Sequence, residues 1–257
     1  MRPLPSLFDL HGRTAFITGS TRGLGWSSAC CLAELGATVA INGRSERSVD
    51  ARCREIEQAG GQALSAACDV TNGDVLNAVL DDVSAKTGGI DILIASAAQF
   101  MLKPIEESSD DDINTLFAGK LFSAMVAARK LAPAMKERRW GRIVLMSSIS
   151  TKATGGHSPV DTAASGAMTA FAKSLSTALA PYGITCNAVS PGFMHTDTTD
   201  VFREIPDNAA WISSRVPAQR WGRPEEIGWP TAFLCTEAAS FITGHTLVID
   251  GGITSSL

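Results

Sequence analysis

The feature of this chain that most restricts its fold is the alternation of short apolar runs with longer stretches of helical pattern. The runs are almost continuously apolar, which is typical of parallel strands buried on both faces of a sheet. Parallel strands need crossover connections, and the helical stretches are long enough to supply them. The pattern predicts an α/β fold, a doubly wound, mainly parallel sheet of the Rossmann type. The expected strands lie at residues 13–18, 38–42, 63–68, 90–95, 141–146, 183–189 and 246–249.

Length and composition indicate one domain over residues 1–257, because no linker, repeat or low-complexity tract divides the chain. Apolar residues make up 45% and charged residues 19%, which excludes disordered, collagen-like and coiled-coil chains. A net charge of −4 without a long basic run argues against a nucleic-acid partner. No apolar run approaches the roughly 18 residues of a membrane span, and the first residues lack the apolar core of a signal peptide. We therefore expect a cytoplasmic protein with a small-molecule substrate.

The cysteines are scattered and form no C-x-x-C pair. We expect reduced, mostly buried thiols rather than a disulfide or zinc framework. No group of His, Asp, Glu and Cys has metal-ligand spacing, so no metal site is predicted. The cysteines are Cys30, Cys31, Cys53, Cys68, Cys186 and Cys235.

A glycine-rich stretch at residues 18–25 follows the first expected strand and opens a helix over 26–35 that ends at Gly36. Glycines there permit a tight turn and a close approach of the backbone to a pyrophosphate, and the helix N-terminus supplies free N–H groups. The alternative is a tight strand–helix turn without a ligand. The predicted phosphate-binding residues are Gly19, Ser20, Thr21, Arg22, Gly23, Leu24 and Gly25.

The end of the second expected strand indicates which dinucleotide is bound. A carboxylate there would bind the ribose hydroxyls of NAD, but the sequence reads Asn42-Gly43-Arg44. Arg44, together with Arg22 in the loop, could bracket a 2′-phosphate. The residues favour NADP over NAD as cofactor, with solvated surface arginines as the alternative.

With these motifs the chain resembles the short-chain dehydrogenase/reductase family over about residues 10–252, most of all its ketoacyl-reductase and gluconate-dehydrogenase-like members. Residues 18–25 match the family's T-G-x-x-x-G-x-G, and residues 190–196, 220–227 and 244–252 match its later signatures. The resemblance implies a seven-stranded NADP-binding oxidoreductase. It also implies adenine contacts from Asp69 and Val70, and contacts around the nicotinamide half from Ala97, Pro191, Gly192, Met194 and Thr196.

The catalytic positions depart from the family pattern. Family members carry a Ser, a Tyr thirteen residues later, a Lys four residues beyond the Tyr, and an Asn on the preceding helix. Ser148 keeps the first position, but Asp161 stands at the Tyr position and Ser165 at the Lys position. Lys120 occupies the Asn position, and the family's N-N-A-G reads as Ala-Ser-Ala-Ala at 95–98. The only tyrosine, Tyr182, lies in the turn after the long helix and is interpreted as structural.

We expect Lys120 and Asp161 to meet across neighbouring helices and to form a different acid/base pair. Three functions stay open at this point. The chain could be an atypical NADP-dependent oxidoreductase that uses Ser148, Asp161, Lys120 and Ser165. It could be a non-redox catalyst such as a lyase or epimerase. If these positions have drifted after loss of catalysis, it is a non-catalytic NADP(H)-binding protein or a partner subunit.

Further residues support weaker expectations. Residues 194–222 form a candidate substrate lid, because they follow a strand at the edge where such folds bind ligands. His157 and His195 could face the substrate or be solvated loop residues, and an apolar wall could come from Val201, Phe202, Ile205 and Trp211. The family resemblance implies a homotetramer that uses the helices at 110–135 and 161–181, where small residues suit close contact. These are Ala163, Ala164, Gly166, Ala167 and Ala170.

Overall fold

A computed structural model of the chain describes residues 4–97, 101–153, 158–197, 199, 210, 212 and 214–256. Within these residues one sheet holds seven parallel strands in the order β3-β2-β1-β4-β5-β6-β7. The direction of winding reverses between β1 and β4, so the predicted doubly wound Rossmann-type fold is confirmed. The strands are β1 Thr14–Thr18, β2 Thr38–Ile41, β3 Gln62–Ser65, β4 Ile92–Ala95, β5 Gly141–Met146, β6 Ile184–Pro191 and β7 Thr246–Ile249.

The strands predicted from the sequence are all found, and their ends shift by no more than three residues. The largest shift is in β3, where regular pairing ends at Ser65 although Cys68 N still donates to Gly43 O at 3.0 Å. Strands β1, β4, β5 and β6 are buried along their whole length, because helices cover both faces of the sheet.

Two hydrophobic cores lie on opposite faces of the sheet. One is closed by helices α4, α6 and α7, and the other by helices α2, α3 and α8. Across the described ranges, none of the helices is both long and apolar enough to cross a membrane. The helices are α1 Leu4–Phe8, α2 Gly23–Glu34, α3 Glu46–Gln58, α4 Gly73–Thr87, α5 Asp110–Phe117, α6 Ser123–Arg138, α7 Pro159–Leu179 and α8 Glu225–Leu234.

The prediction of one continuous helix over residues 110–135 is wrong in one respect. A π-helix, Ala118–Phe122, separates α5 from α6. A π-turn closes its hydrogen bonds one residue later than an α-turn, and Ser123 Oγ donates to Gly119 O at 2.6 Å beside it. The wide turn contains Lys120, so the element that carries this lysine differs locally from an ordinary helix.

Two other predicted helices have different limits. The helix predicted over 26–35 begins at Gly23, three residues earlier, and Gly36 follows it with a φ of +95°, as expected for a residue just past a helix end. The helix predicted over 161–181 begins at Pro159 and ends at Leu179, and a 3-10 turn follows. Pro181 has no N–H with which to continue the α-helix.

Asn42, directly after β2, connects the loop that follows β1 with the chain that follows β3. Its Oδ1 accepts from Gly19 N at 3.1 Å, and its Nδ2 donates to Ala66 O at 2.9 Å. Its backbone oxygen also accepts from Ser20 N at 2.9 Å. Because Asn42 is only 1% exposed, water does not replace these partners easily. The end of β2 therefore sets the shape of the glycine-rich loop.

We expect Asn42→Ala to lower the free energy of unfolding by about 1–3 kcal/mol, because Gly19 N and Ala66 O lose their buried partner. Urea unfolding followed by circular dichroism measures the loss. Gln62→Ala is the control, since this β3 side chain is exposed and accepts one hydrogen bond, from Thr38 Oγ1, among the described residues. Its removal is expected to cost less than about 0.5 kcal/mol. Equal losses in the two variants would contradict the role given to Asn42.

Candidate active site

The loop between β1 and α2 has a backbone that favours glycine at three positions. Gly19 and Gly23 have φ values of +63° and +58°, in the left-handed region. A Cβ on Gly25 would lie 2.5 Å from Gly19 O, and a Cβ on Gly19 would lie 2.8 Å from Ala97 Cα. The glycines therefore bring the loop against the chain that follows β4, and no side chain projects from these three positions.

The amino end of α2 offers free N–H groups at this loop. The N-cap residue is Arg22, whose side chain makes no capping hydrogen bond. The first N–H groups of a helix have no intrahelical acceptor, and the helix dipole is positive there. Thr18 Oγ1 accepts from the backbone N of Ser96 and of Ala97, each at 2.9 Å, which fixes the opposite wall. The pyrophosphate of a dinucleotide is negatively charged and accepts hydrogen bonds. The free N–H groups and the positive helix dipole at the start of α2 are therefore suited to bind it.

One end of the site is expected to hold the adenosine. Arg22, in the glycine-rich loop, and Arg44, after β2, are both exposed there. Within the described part of the chain, neither guanidinium has a hydrogen bond or an ion pair. Asp69 Oδ1 accepts from Thr71 N at 2.9 Å and from Thr71 Oγ1 at 2.8 Å. These hydrogen bonds, with a smaller contribution from the Arg44 charge, hold the pKa of Asp69 below its usual value. Val70 beside it is buried.

The other end of the site is formed where β6 and β7 finish. Gly192 N donates to Ile249 O at 2.9 Å, and a Cβ on Gly192 would lie 2.6 Å from Asp250 Cα. The Pro191–Gly192 turn is therefore packed directly against the chain after β7. Thr196 lies over the glycine-rich loop, because its Cγ2 is 3.7 Å from the position of a Cβ on Gly23. The structure thus brings Thr196 to the loop that would hold the pyrophosphate.

Lys120 and Asp161 meet in the interior, as expected. Lys120 Nζ lies 3.1 Å from Asp161 Oδ1 and 2.7 Å from Ser165 Oγ. The side chains of Lys120 and Asp161 are each 5% exposed, and Ser165 is fully buried. Asp161 and Ser165 are four residues apart and share one face of α7, so a single ammonium group can reach both. Their role in turnover stays a prediction.

Two positive features of the structure lie beside the Asp161 carboxylate. Asp161 is the third residue of α7, where the dipole of the 21-residue helix is positive. Lys120 supplies a full positive charge from the π-helix, and Ser165 accepts a further hydrogen bond from Lys120 Nζ. An ion pair of this burial is stable only when both charges are matched and hydrogen-bonded, and here they are.

Ser148 lies at the carboxyl end of β5, at the start of the 3-10 turn Ile149–Thr151. Its Oγ accepts from Ser150 N at 3.1 Å, which leaves the hydroxyl proton available as a donor. Sequence reasoning missed its neighbour, Ser147, whose Oγ donates to Ser165 O at 2.9 Å and joins β5 to α7. The alternation of side chains along β5 could have indicated that Ser147 faces this helix.

Tyr182 lies far from these residues along the fold. It sits in the 3-10 turn Ala180–Tyr182 that leads into β6, at the amino edge of the sheet. Asp161 is at the other end of α7, a helix of 21 residues, which spans roughly 30 Å. Tyr182 is 37% exposed, and Lys136 Nζ is 4.6 Å from the centre of its ring. Tyr182 therefore cannot act at the Asp161 position of its own chain, which supports its interpretation as a structural residue.

The two ends of the candidate lid are joined to each other, and one of them is joined to α8. Met194 pairs with Gly222 in a parallel bridge, and His195 N donates to Gly222 O at 2.8 Å. Arg220 makes two bonds to Glu226, at 2.7 and 2.6 Å, which hold the pKa of Glu226 down at about 2. The expectations for Ala98, His157, Val201, Phe202, Ile205 and Trp211 fall outside the residues that the structure describes.

All six cysteines are free thiols, and five of them are buried. Burial raises the pKa of the Cys186 and Cys235 thiols to about 12, so neither is a thiolate at neutral pH. Searched over the described ranges, the chain shows no group of three His, Cys, Asp or Glu residues that could hold a metal ion.

The fold and the glycine-rich loop define a protein of the Rossmann class that is built to accept a dinucleotide. The profile of a family described as enoyl-(acyl carrier protein) reductase matches residues 19–254. A gluconate 5-dehydrogenase of Gluconobacter oxydans (strain 621H) is 36% identical over 257 residues, which cover 98% of this chain and 99% of that protein. The chain belongs to the short-chain dehydrogenase/reductase family.

Two further relatives show how evenly this similarity extends along the chain. A 2-dehydro-3-deoxy-D-gluconate 5-dehydrogenase of Pseudoalteromonas atlantica is 32% identical and covers 95% of this chain and 97% of that protein. The crystal structure of a gluconate 5-dehydrogenase from Burkholderia cenocepacia J2315, in complex with NADP and tartrate, superposes with a TM-score of 0.94 at 32% identity. The match covers 98% of this chain and 99% of the chain in that crystal structure.

We expect a double-mutant cycle on the buried ion pair to show strong coupling. Asp161→Asn or Lys120→Met alone leaves one buried charge without its partner and should cost about 3–5 kcal/mol of unfolding free energy. The double variant should cost much less than the sum of the two. Urea unfolding of the four proteins measures the coupling.

The control cycle uses Asp82→Asn and Lys86→Met on α4, where Lys86 Nζ lies 2.7 Å from Asp82 Oδ2 but both side chains are more than half exposed. Coupling there should stay below about 0.5 kcal/mol, because solvent screens the pair. Additive losses at Lys120 and Asp161 would mean that the two charges do not stabilise each other.

Proposed function

We propose that the protein is an NADP-dependent oxidoreductase that uses Asp161, Lys120, Ser165 and Ser148 in place of the family's Ser, Tyr, Lys and Asn set. The observation that carries the proposal is the contact of Lys120 Nζ with Asp161 Oδ1 at 3.1 Å and with Ser165 Oγ at 2.7 Å. A carboxylate and a cation thus stand at the positions where the family has its proton-transfer residues. The pair combines a proton acceptor with a fixed counter-charge.

Asp161 is the proposed general base for oxidation of a secondary alcohol. The hydroxyl proton passes to the Asp161 carboxylate as the hydride leaves the carbon, and in the reduction direction Asp161 returns that proton to the oxygen. Lys120 supplies the counter-charge beside the Asp161 carboxylate, with its Nζ 3.1 Å from Asp161 Oδ1. Ser165 holds the ammonium group in place without adding a second charge.

Ser148 is the proposed donor to the substrate oxygen. Its Oγ is already an acceptor for Ser150 N, so its remaining proton points to another acceptor. A hydrogen bond from Ser148 would stabilise negative charge that develops on the oxygen during transfer. The backbone bond also fixes the serine rotamer, which lowers the entropy lost on substrate binding.

The residues around the glycine-rich loop are suited to hold NADP. We assign Gly19, Ser20, Thr21, Arg22, Gly23, Leu24 and Gly25 to its phosphates. When bound, NADP supplies the hydride acceptor or donor. Arg22 and Arg44 are exposed and unpaired within the described residues, so both are available to a 2′-phosphate. Asp69 and Val70 would bound the adenine, and Ala97, Pro191, Gly192, Met194 and Thr196 would bound the nicotinamide half.

The proposed substrate is a small polyhydroxy acid of the gluconate class. Support comes from the relatives named as gluconate and 2-dehydro-3-deoxy-D-gluconate 5-dehydrogenases, which match this chain almost end to end. We also propose residues 194–222 as the substrate lid of this single domain. The Met194–Gly222 bridge and the Arg220–Glu226 ion pair would anchor its two ends.

We further propose a cytoplasmic homotetramer. Helix α7 carries the small residues suited to close helix contact, and a Cβ on Gly166 would meet nothing within 4 Å in the isolated chain. Phe122 and Met125, at the junction of the π-helix and α6, are exposed apolar side chains, at 51% and 37%. Burial between copies would remove both from water.

One observation favours the alternative of a nucleotide-binding protein without turnover. Lys120, Asp161 and Ser165 satisfy one another, and none is more than 5% exposed. A substrate must reach Asp161 for the proton transfer to occur. Kinetics on Asp161 variants separates the two functions.

We expect Asp161→Asn to abolish oxidation of gluconate-class substrates, because an amide does not accept the proton, while the affinity for NADP⁺ changes less than about twofold. Formation of NADPH at 340 nm measures turnover, and calorimetry measures binding. The control is Asp111→Asn, which removes an exposed carboxylate from the first turn of α5 and should leave both quantities unchanged. Turnover that survives in Asp161→Asn would exclude Asp161 as the base, and absence of turnover in the unaltered protein would favour the binding function.

The nucleotide preference gives a second test. NADP(H) should bind at least about tenfold more tightly than NAD(H), since one desolvated Arg–phosphate contact contributes about 1.5–3 kcal/mol. Arg44→Asp should reverse the preference, because a carboxylate repels the 2′-phosphate and accepts from ribose hydroxyls. Arg54→Asp, the same charge change at an exposed position of α3, should not. Equal affinities for the two dinucleotides by calorimetry would refute the assignment.

A further inference from the structure

Arg52, on α3, makes one hydrogen bond to the glycine-rich loop and two further contacts that hold its guanidinium in place. Its Nε donates to Thr21 O at 2.9 Å, and its Nη1 bonds to Glu55 Oε2 at 2.6 Å. The guanidinium carbon lies 4.5 Å from the centre of the Trp26 ring. A planar group held along two edges and one face has little freedom to rotate, so the position of Thr21 O is well defined.

The Thr21–Arg22 peptide transmits this contact to the inner side of the loop. A trans peptide directs its C=O and N–H in opposite directions, and the described residues contain no cis bond. Because the C=O of Thr21 turns outward to Arg52, the N–H of Arg22 turns inward. Among the described residues that N–H has no acceptor, and Arg22 itself is extended, with a φ of −161°.

The side chain of Thr21 fixes the same peptide from its other side. A Cβ on Gly43 would lie 2.7 Å from Thr21 Cγ2, so the threonine methyl group occupies the space that this glycine leaves open. Gly43 directly precedes Arg44. Thr21 is thus held between α3 and the end of β2, and the two arginines proposed for the 2′-phosphate flank this contact.

The charge of Arg52 is not free to act on a nucleotide by itself. Glu55 lies at 2.6 Å and compensates it, and the guanidinium faces Trp26 and the outer side of the loop. Any influence of Arg52 on the nucleotide therefore passes through the geometry of the Thr21–Arg22 peptide.

We propose that Arg52 is a positioning residue for dinucleotide choice. By holding the C=O of Thr21, it aims the backbone N–H and the guanidinium of Arg22 at the 2′-phosphate, and it favours NADP(H) over NAD(H) without touching either. The proposal rests on the proposed NADP binding, and it adds to that function the residue that orients the discriminating arginine.

The test measures the affinities for NADP⁺ and NAD⁺ by calorimetry in the unaltered protein, Arg52→Met, Arg22→Ala and the double variant. Methionine keeps an aliphatic stem over Trp26 and removes the donor to Thr21. We expect Arg52→Met to weaken NADP⁺ binding about tenfold and NAD⁺ binding less than threefold, because a mispositioned Arg22 loses a charge-assisted bond that NAD⁺ never makes. In the Arg22→Ala background the same change should leave the NADP⁺/NAD⁺ ratio unaltered.

Two further variants keep the test decisive. Glu55→Gln removes the ion pair but keeps the bond from Arg52 to Thr21, and the ratio should stay within about twofold of the unaltered protein. Arg52→Lys keeps one donor within reach of Thr21 and should restore part of the ratio, and it replaces Arg52→Met if that variant does not fold.

Equal weakening of both dinucleotides in Arg52→Met, no change in either, or an additive effect with Arg22→Ala would each overturn the role of Arg52. A different result identifies failure of the proposed nucleotide preference. If the unaltered protein binds both dinucleotides equally, the 2′-phosphate contact is absent. If Arg22→Ala leaves the ratio unchanged, Arg22 does not make that contact.

Discussion

All seven strands run in the same direction, and this constraint decides where chemistry can occur in the molecule. The carboxyl ends of parallel strands meet at one edge, and so do the amino ends of the helices that follow them. The glycine-rich loop, Ser148 and the first turn of α7 therefore share an edge although they are far apart in the sequence. The opposite edge holds a structural cluster, in which the guanidinium groups of Arg13 and Arg142 lie 3.8 and 4.4 Å from the Trp140 ring.

The buried ion pair is the most demanding feature at the functional edge. Removing two charges from water costs several kcal/mol for each ion, and mutual attraction offsets this only when geometry and hydrogen bonding are good. Here the cost is opposed by three groups at once: the opposite charge, the hydroxyl of Ser165 and the positive end of α7. A hydrophobic pair of similar volume would stabilise the fold at least as well. The presence of two charges at Lys120 and Asp161 is thus better explained by function than by stability, which agrees with the proposed acid/base role.

Much of the fold could be predicted from the sequence, because its signals are local. Apolar runs located the strands, and the left-handed backbone at Gly19 and Gly23 follows directly from a glycine-rich turn. The meeting of Lys120 and Asp161 could also be predicted, since the family resemblance supplied the long-range register that one sequence lacks. The π-helix could not be predicted, because no residue type signals the extra residue in its turn. Arg52 was missed for another reason: its contacts with Thr21 and Trp26 depend on how α3 packs beside α2.

The Lys120–Asp161 contact has a consequence for how relatives of this chain can diverge. Neither position can change alone without passing through a chain that buries a single charge, which costs about 3–5 kcal/mol, a large fraction of the stability of an ordinary protein. Substitutions at Lys120 and Asp161 are therefore expected to occur together rather than one at a time. Stepwise replacement of the pair therefore passes through an intermediate with an unpaired buried charge, whereas simultaneous replacement of both residues does not.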